Sequence, residues 1–274
     1  MNKDPKISFI VLMCGMIFCG NAISAELSAK EIMQKNDTAR RVNDMKADAR
    51  LTTGTEGTSG DKIKDFTLWR KIQSDKIHNS SLSRFHTPAE VRNEGILIIE
   101  NESGRNDVLM YLPNFKKVRR VESQQQSGSF MGSAFSYSDI ATPHVEDFTY
   151  RLVKEEKCPS AEASSAMCSV IECTPANDDI KERTGYTKTM TWVRQDNFMV
   201  VHADYYDLDG ALFKKLDASE NKIVDLKNRK WLAHHLEIHN LKTKDFTILQ
   251  FSKVLVNSGL SDAIFTQANL QKVN

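Results

Sequence analysis

Neither sign of charge is in surplus: 37 Lys and Arg stand against 36 Asp and Glu, a formal net charge of +1 over 274 residues. That balance excludes a chain-wide field for gripping nucleic acid or an anionic membrane surface. Beyond the N-terminus no stretch approaches the roughly 20 consecutive apolar residues that a spanning helix requires. There is no Gly-x-Ser-x-Gly elbow, no His-Glu-x-x-His and no phosphate-cradling glycine loop ahead of a helix. A Cys-x-x-Cys pair, the mark of a thiol redox enzyme, is missing too. These absences argue for a binding protein rather than an enzyme, and no cofactor or metal is expected.

The N-terminus is what an exported chain carries. Lys3 and Lys6 supply a positive start, Ile7 to Gly20 an apolar segment too short to span a bilayer, and Ala22 or Ala25 a small residue before a cut. Cleavage after Ala25 is expected, so that residues 1–25 form a signal peptide and residues 26–274 one mature domain. Lipidation at Cys19 is disfavoured by Phe18, which stands where lipoprotein processing needs a small residue. Export leaves Cys158, Cys168 and Cys173 in an oxidising compartment, where a disulfide is expected. Cys168 and Cys173 are five apart on a strand and point to opposite faces, so Cys158 is one partner; it ends one strand and Cys168 begins the next across a short loop, so Cys158 with Cys168 is expected and Cys173 is a buried free thiol.

Ser28 with Glu31 fits a capping box ahead of a helix over residues 28–43, with Ile32, Ala39 and Val42 on its apolar face. After it the pattern changes to 14 short runs rich in Ile, Val, Thr, Phe, Tyr and Trp. Such runs, separated by turn residues, predict one large antiparallel sheet that curls to bury a face. The runs include Lys76 to Phe85, and Leu212 to Ala218 followed by a separate strand from Lys222 to Leu226. Glu102-Ser103-Gly104-Arg105 and Asp207-Leu208-Asp209-Gly210 read as turns between strands. The two Asp of the second are too few oxygens for calcium. In Trp231 to Asn240, alternation puts His235, Glu237 and His239 on one face opposite Leu232, Leu236 and Ile238. A solvated polar row is the expected reading there, not a zinc site. The histidines His78, His86, His144 and His202 show no recurring spacing.

One stretch organises the rest, from Asp107 to Ile140. A strand ends at Pro113 and a basic run, Lys116, Lys117, Arg119 and Arg120, follows. A polar hinge, Gln124 to Ser129, then delivers the apolar cluster Phe130, Met131, Ala134, Phe135, Tyr137 and Ile140. Leaving each large side chain in water would forgo about 1.5 to 3 kcal/mol, so the cluster folds onto something. Two readings stay open: a loop that plugs its own core, or a movable lid over a cavity.

The pattern Tyr111-Leu112-Pro113 with Lys117 and Arg119-Arg120, the segment FMGSAFSYSDI from Phe130 to Ile140, and Tyr206-Asp207 to Gly210 with Lys214 resemble the LolA-like outer-membrane lipoprotein-sorting family over residues 28 to 272. The resemblance implies a mainly β fold: an unclosed antiparallel half-barrel whose concave apolar face is covered by the N-terminal helix and a short helical lid. It implies a periplasmic carrier for a lipid or for lipoprotein acyl chains, moving cargo towards the outer membrane. Partners would be an inner-membrane transporter, with an RND-type exporter as one candidate, an outer-membrane acceptor and transient membrane contact. Carried over by residue, the lid is Phe130, Met131, Phe135 and Tyr137. Arg119 and Arg120 are assigned to a lipid headgroup or an acidic partner. Cavity-lining residues expected on the first strands are Trp69, Leu97, Ile99, Leu109 and Tyr111. Those on the later strands are Trp192, Leu236, Ile238 and Leu249. The alternative is a periplasmic sensor on the same scaffold, like the regulators that hold an anti-sigma factor, which predicts a stable protein partner.

Overall fold

The computed structural model describes Met1 and residues 27–101, 106–141, 144–159 and 165–272. The signal segment with its cut after Ala25, Cys14 and Cys19, and the turn Glu102 to Arg105 all lie outside the described residues. Helix α1 (Ala29–Arg40) begins where the Ser28 hydroxyl accepts the Glu31 N–H and the Glu31 carboxylate accepts the Ser28 N–H. This reciprocal cap satisfies two of the donors that every helix start leaves open.

The remaining architecture is one sheet of 13 antiparallel strands. The first six are β1 (Asp44–Thr55), β2 (Lys62–Ile72), β3 (Asn79–Thr87), β4 (Gly95–Ile99), β5 (Asp107–Leu112) and β6 (Lys117–Val121). The next four are β7 (Phe148–Lys157), β8 (Met167–Pro175), β9 (Lys188–Arg194) and β10 (Val200–Tyr206). The last three are β11 (Leu212–Asp225), β12 (Lys230–Asn240) and β13 (Asp245–Val256). Each half is a meander of sequential neighbours, and the halves join where β1 pairs with β13. The sheet does not close, since β6 and β7 stand at its two ends. Both end strands are charged and largely exposed, with Lys117, Arg119 and Arg120 on one and Lys154, Glu155 and Lys157 on the other. Charge on an open edge discourages a further strand from pairing there.

That topology has one long consequence. Every connection is local except the passage from β6 to β7, which runs from one edge of the sheet to the other. Residues Glu122 to Asp147 make that crossing, and Phe130 to Ile140 lie within it.

Alternation splits the sheet into two faces. The concave face carries Leu51, Phe66, Leu68, Phe85, Ile96 and Leu249. The convex face of the first half carries Leu82, Leu97 and Tyr111, with Trp69, Ile99 and Leu109 beside them. The chain's own end covers this patch. A 3-10 turn (Asp262–Phe265) and helix α4 (Gln267–Leu270) bury Phe265 and Leu270 against it. Arg84 fastens the segment by donating to the carbonyls of Asn269 at 3.1 Å and Leu270 at 2.7 Å. Gly95 leaves the room, because a Cβ there would sit 2.7 Å from Leu270 Cδ1. On the convex face of the second half the Cys158–Cys168 disulfide packs with Trp192 and Val201. Cys173 is buried and free, in a separate cluster with Ile171 and Val193.

The register corrects the cavity residues proposed above. Trp69, Leu97, Ile99, Leu109, Tyr111 and Trp192 are on the convex face, one position out of phase with the strand residues that face inwards. Both faces of these strands are apolar because both are covered, so alternation alone could not choose between them. Three local corrections follow. The strand expected from Lys76 begins at Asn79, because Asp75 accepts the N–H groups of Ile77 and His78 and holds a turn. Leu212–Ala218 and Lys222–Leu226 are one strand, β11, whose polar middle keeps its ladder through Ser219 opposite His235 and Asn221 opposite Ala233. A short helix, α3 (Asp178–Thr184), was not anticipated. Asn177 caps its start by accepting the Ile180 N–H, and Gly185 ends it at φ +76°, a left-handed geometry that glycine adopts without strain.

Candidate functional site

The concave face, α1 and the crossing segment enclose a cavity of about 370 Å³. Its walls are aromatic and aliphatic: Phe66 and Leu68 from β2, Leu236 from β12, Leu249 and Phe251 from β13, and Phe130 and Phe135 from above. The hollow exists because the floor residues are small. Ala203, Ala218 and Ala233 line it from β10, β11 and β12, where larger side chains would fill the curl. Ala203 lies opposite Leu216 and Ala218 opposite Leu236, so small and large alternate across the strand pairs.

The cover is built as a compact loop. The Phe130 N–H donates to the Phe135 carbonyl at 2.7 Å, and the Ser133 N–H to the Phe130 carbonyl at 2.9 Å. Met131 at φ +53° and Gly132 at φ +74° turn the tip. Phe130 is 1% exposed, wedged between Phe85 and the edge of Tyr137 at centroid separations of 6.2 and 5.7 Å. Met131 packs at the margin of the same cluster. Helix α2 (Tyr137–Ile140) starts on a second capping box, between Ser136 and Asp139.

Few polar contacts tie this cover to the sheet. The Ala134 N–H donates to Thr247 Oγ1 at 2.8 Å. Asp139 Oδ1 accepts the Tyr186 hydroxyl at 2.7 Å, and Lys214 Nζ stands 3.7 Å from Asp139 Oδ2. Burial, then the neighbouring Asp139 carboxylate, pushes the Tyr186 phenol far up, so it stays neutral and serves as donor. Asp139, Tyr186 and Lys214 thus form a buried latch between the crossing segment and the second meander.

The opposite end of the cavity is polar. Arg40 from α1, Arg70 from β2 and Asn79 from β3 line it beside Asp37 and Arg41. Arg41 grips Asp37 through Nε at 2.9 Å and Nη2 at 2.6 Å. Glu100, 3% exposed, accepts the backbone N–H of Asn79 at 2.7 Å and its side-chain amide at 3.1 Å. His144 Nε2 lies 3.2 Å from the same carboxylate, at ion-pair distance though off the line of a hydrogen bond. The Glu100 carboxylate raises the His144 imidazole above its ordinary pKa, against the opposing pull of burial. His78 and His144, far apart in sequence, meet with ring centroids 4.9 Å apart.

The remaining expected residues fall as follows. Leu236 and Leu249 line the cavity, and Ile238, fully buried, belongs to the core beside it. Arg119 and Arg120 are on the exposed edge strand β6, Arg120 ion-paired with Asp107, and neither reaches the cavity. His235, Glu237 and His239 share one face of β12; His239 bonds Glu56 at 2.8 Å and Glu237 at 2.9 Å. No cluster of metal-ligating groups occurs among the described residues. Asp207 organises its turn, accepting the N–H groups of Asp209 and Ala211 on Oδ1 while Lys242 pairs with Oδ2. Sequence reasoning missed the polar end altogether. Its signals were Arg70 at an inward strand position and Arg40 on the last turn of an amphipathic helix, each unremarkable alone.

A family model described as an uncharacterized protein matches residues 78–272. An outer membrane lipoprotein-sorting protein domain from Vibrio parahaemolyticus is 25% identical at a TM-score of 0.80, covering 89% of this chain and 98% of that one. A DUF1329 family protein from Desulfovibrio piger is 26% identical, also at 0.80, covering 88% of this chain and 97% of that one. A LolA superfamily protein from Nitrosomonas europaea shares the fold at 21% identity and a TM-score of 0.69, covering 89% of this chain and all of that one, 100%. No curated protein matches the chain by sequence.

Proposed function

The chain belongs to the LolA-like outer-membrane lipoprotein-sorting family, whose fold is that of a carrier, and from that premise we propose that it shields the acyl chains of a lipid or lipoprotein in the periplasm. The observation that carries the reading is the apolar cavity between the concave sheet and the crossing segment. Its volume of about 370 Å³ falls in the range of small-ligand pockets, roughly 300 to 1,000 Å³. Phe130, Met131, Phe135 and Tyr137 act as the lid, which lifts at the donor and acceptor membranes and exposes the cargo to a partner transporter, an RND-type exporter being one candidate. Transfer of this kind makes and breaks no covalent bond, so the protein needs no catalytic group. Cargo is held by burial of its chains, which contributes about 0.8 kcal/mol per methylene, and is released when the lid removes half the wall.

Native mass spectrometry of the protein purified gently from periplasm tests this. A stoichiometric adduct that solvent extraction removes, with the mass of a lipid or an acylated peptide, is the expected result. Protein that emerges bare and takes up no added lipid contradicts it.

A further inference from the structure

Among the described residues, cationic side chains outnumber carboxylates at the polar end of the cavity. Three guanidinium groups converge there, Arg40, Arg41 and Arg70, with His144 beside them. Facing them are two carboxylates, Asp37 and Glu100. Asp37 is shared, held by Arg41 at 2.6 Å and by Arg40 at 3.6 Å. Glu100 is committed to Asn79 and His144. Arg70 has no hydrogen-bond or ion-pair partner within the described residues, and the charges it feels are Glu100 in attraction and Arg40 in repulsion. It is half-buried and lines the cavity. Arginine cannot shed its proton to relieve this, unlike lysine or histidine, so a desolvated guanidinium demands a counter-charge. Its planar fork matches two oxygens of one oxyanion.

The position along the cavity gives the ligand a direction. Arg70 is opposite Met45, near the start of the pairing between β1 and β2. Asp139, Tyr186 and Lys214 sit at the other end, where Lys214 pairs with Asn240 and Thr53 with Thr247. Between these ends the wall is apolar, from Phe66 and Leu68 to Leu236 and Leu249. One end therefore attracts negative charge and the middle takes hydrocarbon.

We propose that the carrier selects amphiphiles with an anionic phosphate-type headgroup, held between Arg40 and Arg70 while the acyl chain lies along the cavity towards the lid. The proposal rests on the carrier reading above and adds the class of headgroup. It differs from the earlier assignment to Arg119 and Arg120, which stand outside the cavity on β6.

The test uses the full mature chain loaded with a neutral fluorescent acylglycerol probe. Two competitors share one chain and one backbone: 1-lauroylglycerol and 1-lauroylglycerol 3-phosphate. The phosphate ester is expected to displace the probe at a concentration at least tenfold lower than the neutral glyceride. Arg70→Met should bring the two within about twofold by weakening the ester alone, and Arg70→Lys should restore part of the gap. Equal displacement by both competitors on the wild-type protein overturns the headgroup assignment and leaves the carrier reading intact. Failure of the neutral probe and of both competitors to bind removes the carrier reading and this inference with it. Inorganic phosphate at the same concentration should leave the probe in place. If phosphate alone displaces it, the arginines form a free-anion site and the headgroup assignment is wrong.

Discussion

The two faces of this sheet are built from the same strands, yet one is finished and the other is left hollow. On the convex side of β2 to β5 the C-terminal segment is packed down, with Leu270 fully buried and its carbonyl held by Arg84. On the concave side the cover is the β6 to β7 crossing, which touches the rim through Ala134 and Asp139 and leaves a cavity of about 370 Å³ beneath it. The difference shows where the folding free energy is stored. Packing under the C-terminal segment stabilises the sheet from the convex side, and the carrier reading assigns the concave side to cargo.

The contrast breaks most visibly at Leu270. Truncating it to Ala should cost about 2 to 5 kcal/mol of global stability, the usual range for a buried leucine, read from the urea midpoint. Affinity for an acyl probe in the surviving folded protein should not change. Next in size is the double variant Phe130→Asp with Phe135→Asp. Two buried carboxylates cannot stay against Phe85 and the cavity wall, so the crossing should lift away while the sheet stays paired. Probe dissociation should accelerate at least tenfold in stopped flow, with a smaller loss of global stability than Leu270→Ala produces.

The smallest effect is one of pH. Glu100 raises the folded-state pKa of His144 above its value in the unfolded chain, near 6.5. A raised histidine contributes stability that is complete below that unfolded value and is lost as pH climbs through the folded one. The wild-type denaturation midpoint should therefore fall modestly between pH 6 and pH 8. His144→Gln should remove that portion of the slope. His202 on the other half adds its own share: burial pulls it down, but Asp217 and Asp204 together raise it. His202→Gln should flatten the slope as well without altering probe binding.

How much of this was legible in the sequence depends on how many signals each feature offered. The strands were readable because β-branched and aromatic runs recur between turn residues, and α1 because Ser28 and Glu31 mark its start. The opposite faces of Cys168 and Cys173 left Cys158 as one partner, and its place at the end of one strand, just before Cys168 begins the next, chose the Cys158–Cys168 pairing. The greasy segment after β6 was conspicuous because Phe130 and Phe135 had to be covered. Face assignment on β2 to β5 was not legible. Trp69 and Leu97 look as inward as Phe66 and Ile96 until the C-terminal segment is known to lie over them. The cavity was hidden for a related reason: its signal is the small side chains Ala203, Ala218 and Ala233, and hydrophobic patterning weighs alanine lightly. Arg40 comes from α1, Arg70 from β2, and Glu100 and His144 from two separate connections, so only the folded register brings them together.

The most direct measurement fills the hollow and asks whether binding goes with it. Ala218→Trp places an indole on the cavity floor opposite Leu236, in space that nothing structural requires. Titration with a fluorescent acyl probe should show at least a tenfold loss of affinity relative to wild type, with the urea midpoint unchanged or raised. An Ala218→Trp protein that is equally folded and binds the probe as tightly as wild type would contradict the account, because the ligand would then lie somewhere other than beneath the crossing segment.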